Sequence, residues 1–222
     1  MRGLYPIVDL DSLESIHDRP QRVLDFAERV LTARPPLLQL RAKHSGARET
    51  LELLRALRPL CTRAGTRLIA NDRPDLALLA ECDGVHLGQD DLPLGLARRI
   101  APGLLVGVST HTPAQLAAAL AEKPDYVAYG PVFGTASKER PDPVVGVAGL
   151  ARAYAAARVA GIPLVAIGGI NLARAAQISG DCDLAACIAA LLPNPATLDG
   201  VSEAACALHA TLGGSALEPG TV

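Results

Sequence analysis

The residues Leu164-Val165-Ala166-Ile167-Gly168-Gly169-Ile170-Asn171 bring together an unbroken apolar run, a pair of glycines and an amide able to start a helix. An apolar run without polar alternation suits a strand buried on both faces, the habit of parallel sheets covered by helices. Seven other stretches read the same way: Leu4–Val8, Leu37–Leu40, Arg67–Ala70, Gly84–Leu87, Leu105–Val108, Tyr126–Tyr129 and Leu184–Ile188. Helical spacing fills the intervals, as in Leu53, Leu57, Leu60 and Ala64, and again in Val201, Ala205, Leu208 and Leu212. Ser109-Thr110-His111-Thr112-Pro113 and Asp91-Leu92-Pro93 offer capping residues with proline at an early helical position. Eight strands alternating with helices form either a doubly wound sheet or a closed barrel. No Gly-x-Gly-x-x-Gly follows the first strand, so the expectation is a single (β/α)8 TIM barrel over residues 1–212. Gly213–Val222 reads as a disordered tail, and no strong internal repeat is visible.

The bulk properties narrow the function. The chain has 222 residues, half of them hydrophobic, enough for one domain with a sizeable core. Aromatics make up 3%, with no Trp, so stacking platforms for nucleic acid bases are scarce. A net charge of −2 argues against a nucleic acid or an anionic membrane as partner. Five cysteines, none in a Cys-x-x-Cys pair, sit in apolar segments and suit a reducing compartment. The first residues lack the apolar region of a secretion signal, and Leu184–Leu192 is too short to span a bilayer. These features point to a cytoplasmic protein. Nothing in the sequence decides between a monomer and a homo-oligomer.

Polar residues gather behind the expected strands, at the end of a barrel where its βα loops converge. Gln39, Arg41 and Lys43 alternate onto one side of the second strand, and two cations there suit a phosphate or pyrophosphate. The competing reading is a solvated rim of scattered basic residues. Asn71-Asp72 and Gln89-Asp90-Asp91 close the third and fourth strands. Acidic groups beside a cationic pocket suit Mg²⁺, which takes one or two carboxylates and leaves room for substrate phosphates. Asp72 and Asp91 could instead cap the helices that follow them. The long loop Tyr129–Lys138 carries hydroxyls and a lysine, and Gly168-Gly169 can let backbone N–H groups approach an anion. His86 reads as a hydrogen-bonded layer residue, whereas His111 lies in a loop of the site; His17, His44 and His209 read as surface residues. Neither zinc spacing nor a Gly-x-Ser-x-Gly elbow is present.

Taken in order, Gln39-Leu40-Arg41-Ala42-Lys43, Asn71-Asp72, Gly84–Asp91, Gly107–Thr112, Tyr129–Lys138 and Ile167–Ile170 resemble the motifs of the thiamine-phosphate synthase family, between about Leu4 and Leu192. The resemblance implies a Mg²⁺-dependent transferase of thiamine biosynthesis with small-molecule substrates. It would condense hydroxymethylpyrimidine pyrophosphate with thiazole phosphate and release pyrophosphate. By the same resemblance, Gln39, Arg41 and Lys43 would hold the pyrophosphate, joined by Ser109 and Lys138. Asn71 would contact the pyrimidine substrate, and Asp72 and Asp91 would bind the metal. Thr135, Ser137, Gly168, Gly169 and the backbone at Ile188 and Ala189 would receive the thiazole phosphate.

The chain departs from the family pattern at three positions. Ser137 stands where threonine is usual, Ala189 where the last phosphate motif usually ends in serine, and Ala42 where an acidic residue is common. Two alternatives share the fold: a thiazole tautomerase, and an inactive phosphate-binding barrel. The tautomerases place a catalytic histidine after the glycine of the sixth strand, where this chain has Pro131 behind Gly130.

Overall fold

The computed structural model describes residues 1–13, 19–134, 142–192, 194 and 197–215. Eight strands form a closed, all-parallel barrel in chain order, with β8 returning to pair with β1. The strands are β1 (Gly3–Asp9), β2 (Leu37–Arg41), β3 (Arg67–Asn71), β4 (Gly84–Leu87), β5 (Leu105–Thr110), β6 (Tyr126–Tyr129), β7 (Leu164–Ile167) and β8 (Leu184–Cys187). Each expected strand is present. β1, β2, β3 and β5 gain one or two residues at their carboxyl ends, β1 also begins one residue earlier, and β8 stops one residue short of its expected end, because Ile188 precedes a short 3-10 turn.

The outer helices are α1 (Arg19–Leu31), α2 (Ala47–Ala64), α3 (Pro74–Leu79), α4 (Leu94–Ile100), α5 (Pro113–Glu122), α6 (Gly146–Ala160), α7 (Leu172–Ile178) and α8 (Val201–Thr211). The cap expected at Thr112 forms in full. Its side chain accepts from Gln115 N, Gln115 returns the bond to the backbone, and Pro113 opens α5. Asp72 and Asp91 cap nothing, since α3 and α4 begin behind Arg73 and Pro93 without a side-chain cap. Gly213 and Gly214 still donate backward onto α8, and residues 216–222 of the expected tail lie outside the described residues.

Two cores follow from strand alternation. One, built from Leu4, Val8, Leu38, Leu40, Leu68, Val85 and their helical neighbours, lies between the sheet and the helices. The other occupies the barrel interior: Tyr5, Ile7, Leu37, Ile69, Tyr126, Ala128, Val165, Leu184 and Ala186. Tyr126 fits there because β5 passes it at Gly107, where a Cβ would stand 2.0 Å from the Tyr126 ring.

The amino-terminal rim shows a repeat that the sequence reading did not find. Asp83, Asp125 and Asp183 each precede an even-numbered strand. Their carboxylates accept from the backbone N of Leu68 (2.7 Å), Val106 (2.9 Å) and Leu164 (2.9 Å) in the strand before. Each also donates its own N–H to the carbonyl of that same residue at 2.9 Å. Pro36 holds the corresponding place before β2, and the Leu4 N–H there is taken by His209 Nδ1 at 3.2 Å. His209 is therefore buried rather than on the surface, because an orphaned strand N–H needs an acceptor.

Gly107→Ala should drive the new methyl into Tyr126 and lower unfolding free energy in urea by about 1–3 kcal/mol or more, the scale of overpacking. Gly95→Ala, whose Cβ would meet nothing within 4 Å, should be neutral or stabilising by up to about 1 kcal/mol.

Candidate active site

At the carboxyl ends of the strands the barrel opens into a cavity of about 530 Å³, within the usual range for a small-molecule site. Its floor is largely apolar, formed by inward residues such as Ile7, Ala128, Val165 and Ala186. The rim is charged.

The β2 side carries the cations. Alternation along Gln39-Leu40-Arg41 sends Gln39 and Arg41 inward, and both line the cavity with Lys43. Gln39 lies deeper than its neighbours. It is 2% exposed and donates from Nε2 to the Tyr5 hydroxyl at 2.8 Å. Arg41 is tied by Nη1 to Asp9, with Asp11 at 3.6 Å. Asp9 in turn accepts from the Ser12 hydroxyl at 2.6 Å. Lys43 Nζ reaches 3.9 Å from Asp72. The cations are thus held in place by carboxylates before any anion arrives.

The carboxylates come from the next two strand ends. Asp72 follows β3 in the left-handed region, at φ 63, a conformation Asp tolerates better than most residues. Its N–H donates to His86 O at 2.8 Å, which fixes that turn. Asp91 accepts at Oδ2 from Gly88 N at 2.7 Å and folds the β4–α4 loop back on itself. The two carboxylates face each other. Burial, then the Asp91 carboxylate, pushes Asp72 up to about 6, against the pull of Lys43 and Arg41. Two such oxygens sets, one of them disfavoured as an anion, form a donor set that gains from a hard divalent cation. Among the described residues no cluster of three or more His, Cys, Asp or Glu could cage a metal by itself.

Ser109 and Asn71 also line the cavity, as do Gly168, Gly169, Ile188 and Ala189 behind β7 and β8. The glycine pair is obligatory. Gly168 and Gly169 have φ of 100 and 64, and a Cβ would stand 2.5 Å from Pro131 Cβ and 2.4 Å from Gly134 O, respectively. Thr135, Ser137 and Lys138 lie outside the described residues.

Several lining residues escaped the sequence reading. Tyr5 lines the cavity, and Asp9, which holds Arg41 without lining it, shares an inward alternation with Tyr5 and Ile7 along β1, a signal present in Tyr5-Pro6-Ile7-Val8-Asp9. Gln89, in the loop after β4, donates to Ser109 O in β5 at 2.6 Å, a contact that no local pattern marks. His111 lines the cavity, as its expected place in a loop of the site implies, and bonds Gly130 O through Nδ1 at 2.6 Å, with Asp142 at 3.6 Å from Nε2. His86 is the buried, hydrogen-bonded layer residue expected of it, and burial lowers it to about 4, so it is neutral near pH 7.

Comparison with known proteins agrees with this geometry. A family model described as thiamine monophosphate synthase matches residues 4–191. The thiamine-phosphate synthase of Koribacter versatilis (strain Ellin345) is 43% identical over 198 residues, covering 86% of this chain and 90% of the relative. That of Methanospirillum hungatei JF-1 is 43% identical over 176 residues, covering 78% of this chain and 83% of the relative. Among solved structures, a thiamine phosphate pyrophosphorylase from Pyrococcus furiosus superposes with a TM-score of 0.81 at 29% identity, covering 95% of each chain. With the barrel, the charged rim and the matched residues in agreement, the chain belongs to the thiamine monophosphate synthase family.

Proposed function

We propose that this chain joins hydroxymethylpyrimidine pyrophosphate to thiazole phosphate, forming thiamine phosphate and releasing pyrophosphate, with Mg²⁺ held by Asp72 and Asp91. The observation that carries this reading is the rim itself: Arg41 and Lys43 stand against a facing carboxylate pair at the mouth of one cavity. A pyrophosphate and a divalent cation together complement that mixed charge better than either alone.

In the reaction, the bond between the pyrimidine methylene carbon and the pyrophosphate oxygen breaks, and its electron pair leaves with the oxygen. Arg41 and Lys43 stabilise the charge that grows there; because acidic neighbours already hold them, they need little reorganisation. When bound, Mg²⁺ neutralises part of the same charge and orients the leaving group. The positive charge left on carbon spreads into the pyrimidine ring. The apolar floor of Ile7, Ala128 and Val165 keeps water from capturing it. The thiazole nitrogen then donates its lone pair to that carbon, held nearby by its phosphate at the Gly168-Gly169 rim. No strong base is required.

The depth of Gln39, beside Tyr5, suits contact with the uncharged pyrimidine ring more than with pyrophosphate. Lys138, Thr135 and Ser137 keep the roles that the family resemblance gives them. A thiazole tautomerase is disfavoured by Pro131, which stands behind Gly130 where a catalytic histidine would be needed. No helix among the described residues is long and apolar enough to cross a membrane, and five free cysteines, four of them buried, favour work in the cytoplasm.

Three measurements test the reading. Pyrophosphate release should require both substrates and Mg²⁺; a protein that releases none with all three present is not this enzyme. Asp72→Asn should raise the thermal midpoint of the metal-free protein at pH 7 by a few degrees, because the like-charge contact with Asp91 disappears. The sign follows from the raised Asp72 value. The folded state keeps a proton that the unfolded chain has lost, so the parent loses stability as pH rises from about 4 through about 6. The variant should lack that loss, and added Mg²⁺ should no longer raise its midpoint. A parent-like response to Mg²⁺ would remove Asp72 from the metal site. Finally, Ala189→Ser should lower the KM for thiazole phosphate by about ten-fold with kcat little changed, the value of one hydrogen bond to a charged group. An unchanged KM would mean that the backbone makes this contact alone.

A further inference from the structure

Beneath the cavity, five side chains form one unbroken hydrogen-bonded column. Gln39 Nε2 donates to the Tyr5 hydroxyl at 2.8 Å, and that hydroxyl meets Tyr126 OH at 2.8 Å. Tyr126 OH meets His86 Nδ1 at 3.0 Å, and His86 Nε2 meets Ser109 Oγ at 2.8 Å. Tyr5 and Tyr126 are 1% and 0% exposed, so bulk water offers neither hydroxyl another partner.

The direction of every bond follows from what each atom can do. An amide nitrogen only donates, so Tyr5 oxygen accepts from Gln39. The Tyr5 proton then has one acceptor within reach, the Tyr126 oxygen. The Tyr126 proton passes likewise to His86 Nδ1, which must be bare. His86 therefore carries its proton on Nε2 and donates it to Ser109 Oγ. Ser109 is left with a proton of its own and no inward acceptor, and it lines the cavity. With the Gln39 amide nitrogen facing Tyr5, any other protonation of His86 strands a buried tyrosyl proton, which costs about 1–3 kcal/mol. The depressed His86 value and the stacking of its ring on Tyr126, at 5.5 Å and 18°, agree with a neutral imidazole held flat.

We propose that this column locks the Ser109 hydroxyl as a hydrogen-bond donor aimed into the cavity at the leaving pyrophosphate, with Tyr126, His86 and Tyr5 as positioning residues. The role rests on the reaction proposed above. A serine hydroxyl otherwise rotates freely and presents lone pairs to an anion as readily as its proton. The column removes that freedom and gives an otherwise unused set of buried polar groups a task in the chemistry. Tyr126 does not line the cavity, so any effect of its hydroxyl on the reaction must be transmitted.

A double-mutant cycle on kcat/KM for the pyrimidine pyrophosphate tests this. Ser109→Ala should lower it by about 10²-fold, the scale of losing one preorganised donor. Tyr126→Phe should lower it by about 10-fold, since a freed hydroxyl spends only part of its time as donor. In the Ser109→Ala background, Tyr126→Phe should change nothing further. Effects that multiply, or a Tyr126→Phe enzyme equal to the parent, would overturn the proposal. Should Tyr126→Phe fail to fold, nitrogen-15 NMR of the parent decides, with His86 assigned through its ring contact with Tyr126. A proton on Nε2 supports the column, and one on Nδ1 overturns it. A parent that releases no pyrophosphate overturns the functional reading and this role with it, whereas normal release with multiplicative effects overturns the role alone.

Discussion

Closing eight strands on themselves leaves an interior whose volume is set before any side chain is chosen, and every second residue of each strand must share it. In this protein the share is uneven. Tyr126 takes the middle of the barrel because β5 contributes only Gly107 beside it. Its hydroxyl, buried with that of Tyr5, must then find partners inside, and burial pushes Tyr5 up and beyond the range in which it could ionise near neutral pH. Those partners are Gln39 and His86, and through His86 the polar column reaches Ser109. Small residues on other strands, Ala128 and Ala186, leave the remaining space open as the cavity. One packing constraint thus sets both the depth of the site and the orientation of a group on its floor.

The rim obeys a different rule. Three positive and negative pairings, Arg41 with Asp9, Arg41 with Asp11 and Lys43 with Asp72, are built into the unliganded geometry. They hold long, flexible side chains near the positions where an anion is expected, which reduces the ordering cost of binding. The Asp72 and Asp91 pair is the exception, since like charges face each other there, and the frustration is relieved only by a proton or a cation. The charge pattern is therefore unbalanced as it stands, with like charges facing each other beside two cations, and the proposed metal and polyanion would balance it.

Stability and chemistry sit at opposite ends of the barrel. At the amino-terminal rim Asp83, Asp125 and Asp183 staple β4, β6 and β8 to the strands before them, and where Pro36 stands before β2 the Leu4 N–H of β1 is taken by His209 of α8. The carboxyl-terminal rim carries loops whose side chains are free to serve a substrate. This division lets Asp72 adopt a left-handed backbone and lets Gly168 and Gly169 turn sharply, because the strands beneath them are secured elsewhere.

The sequence by itself determined the eight strands, their parallel arrangement and the barrel, because apolar runs of strand length between helical periods are local signals with few topological solutions. It also placed Gln39, Arg41, Lys43, Asn71, Asp72, Asp91, Ser109, Gly168 and Gly169 at strand ends, and in this fold all strand ends on one side converge. The tertiary structure alone decided which groups touch. It ruled out helix capping by Asp72 and Asp91, buried His209 and tied Arg41 to Asp9. It also joined Gln39 to Ser109 through three residues spread over 121 positions of chain. The aspartate repeat stayed hidden for the same reason: its spacing along the chain is uneven, while its spacing around the barrel is regular. Propensity and periodicity act between near neighbours in sequence, whereas hydrogen-bond partners inside a closed barrel are neighbours only in space.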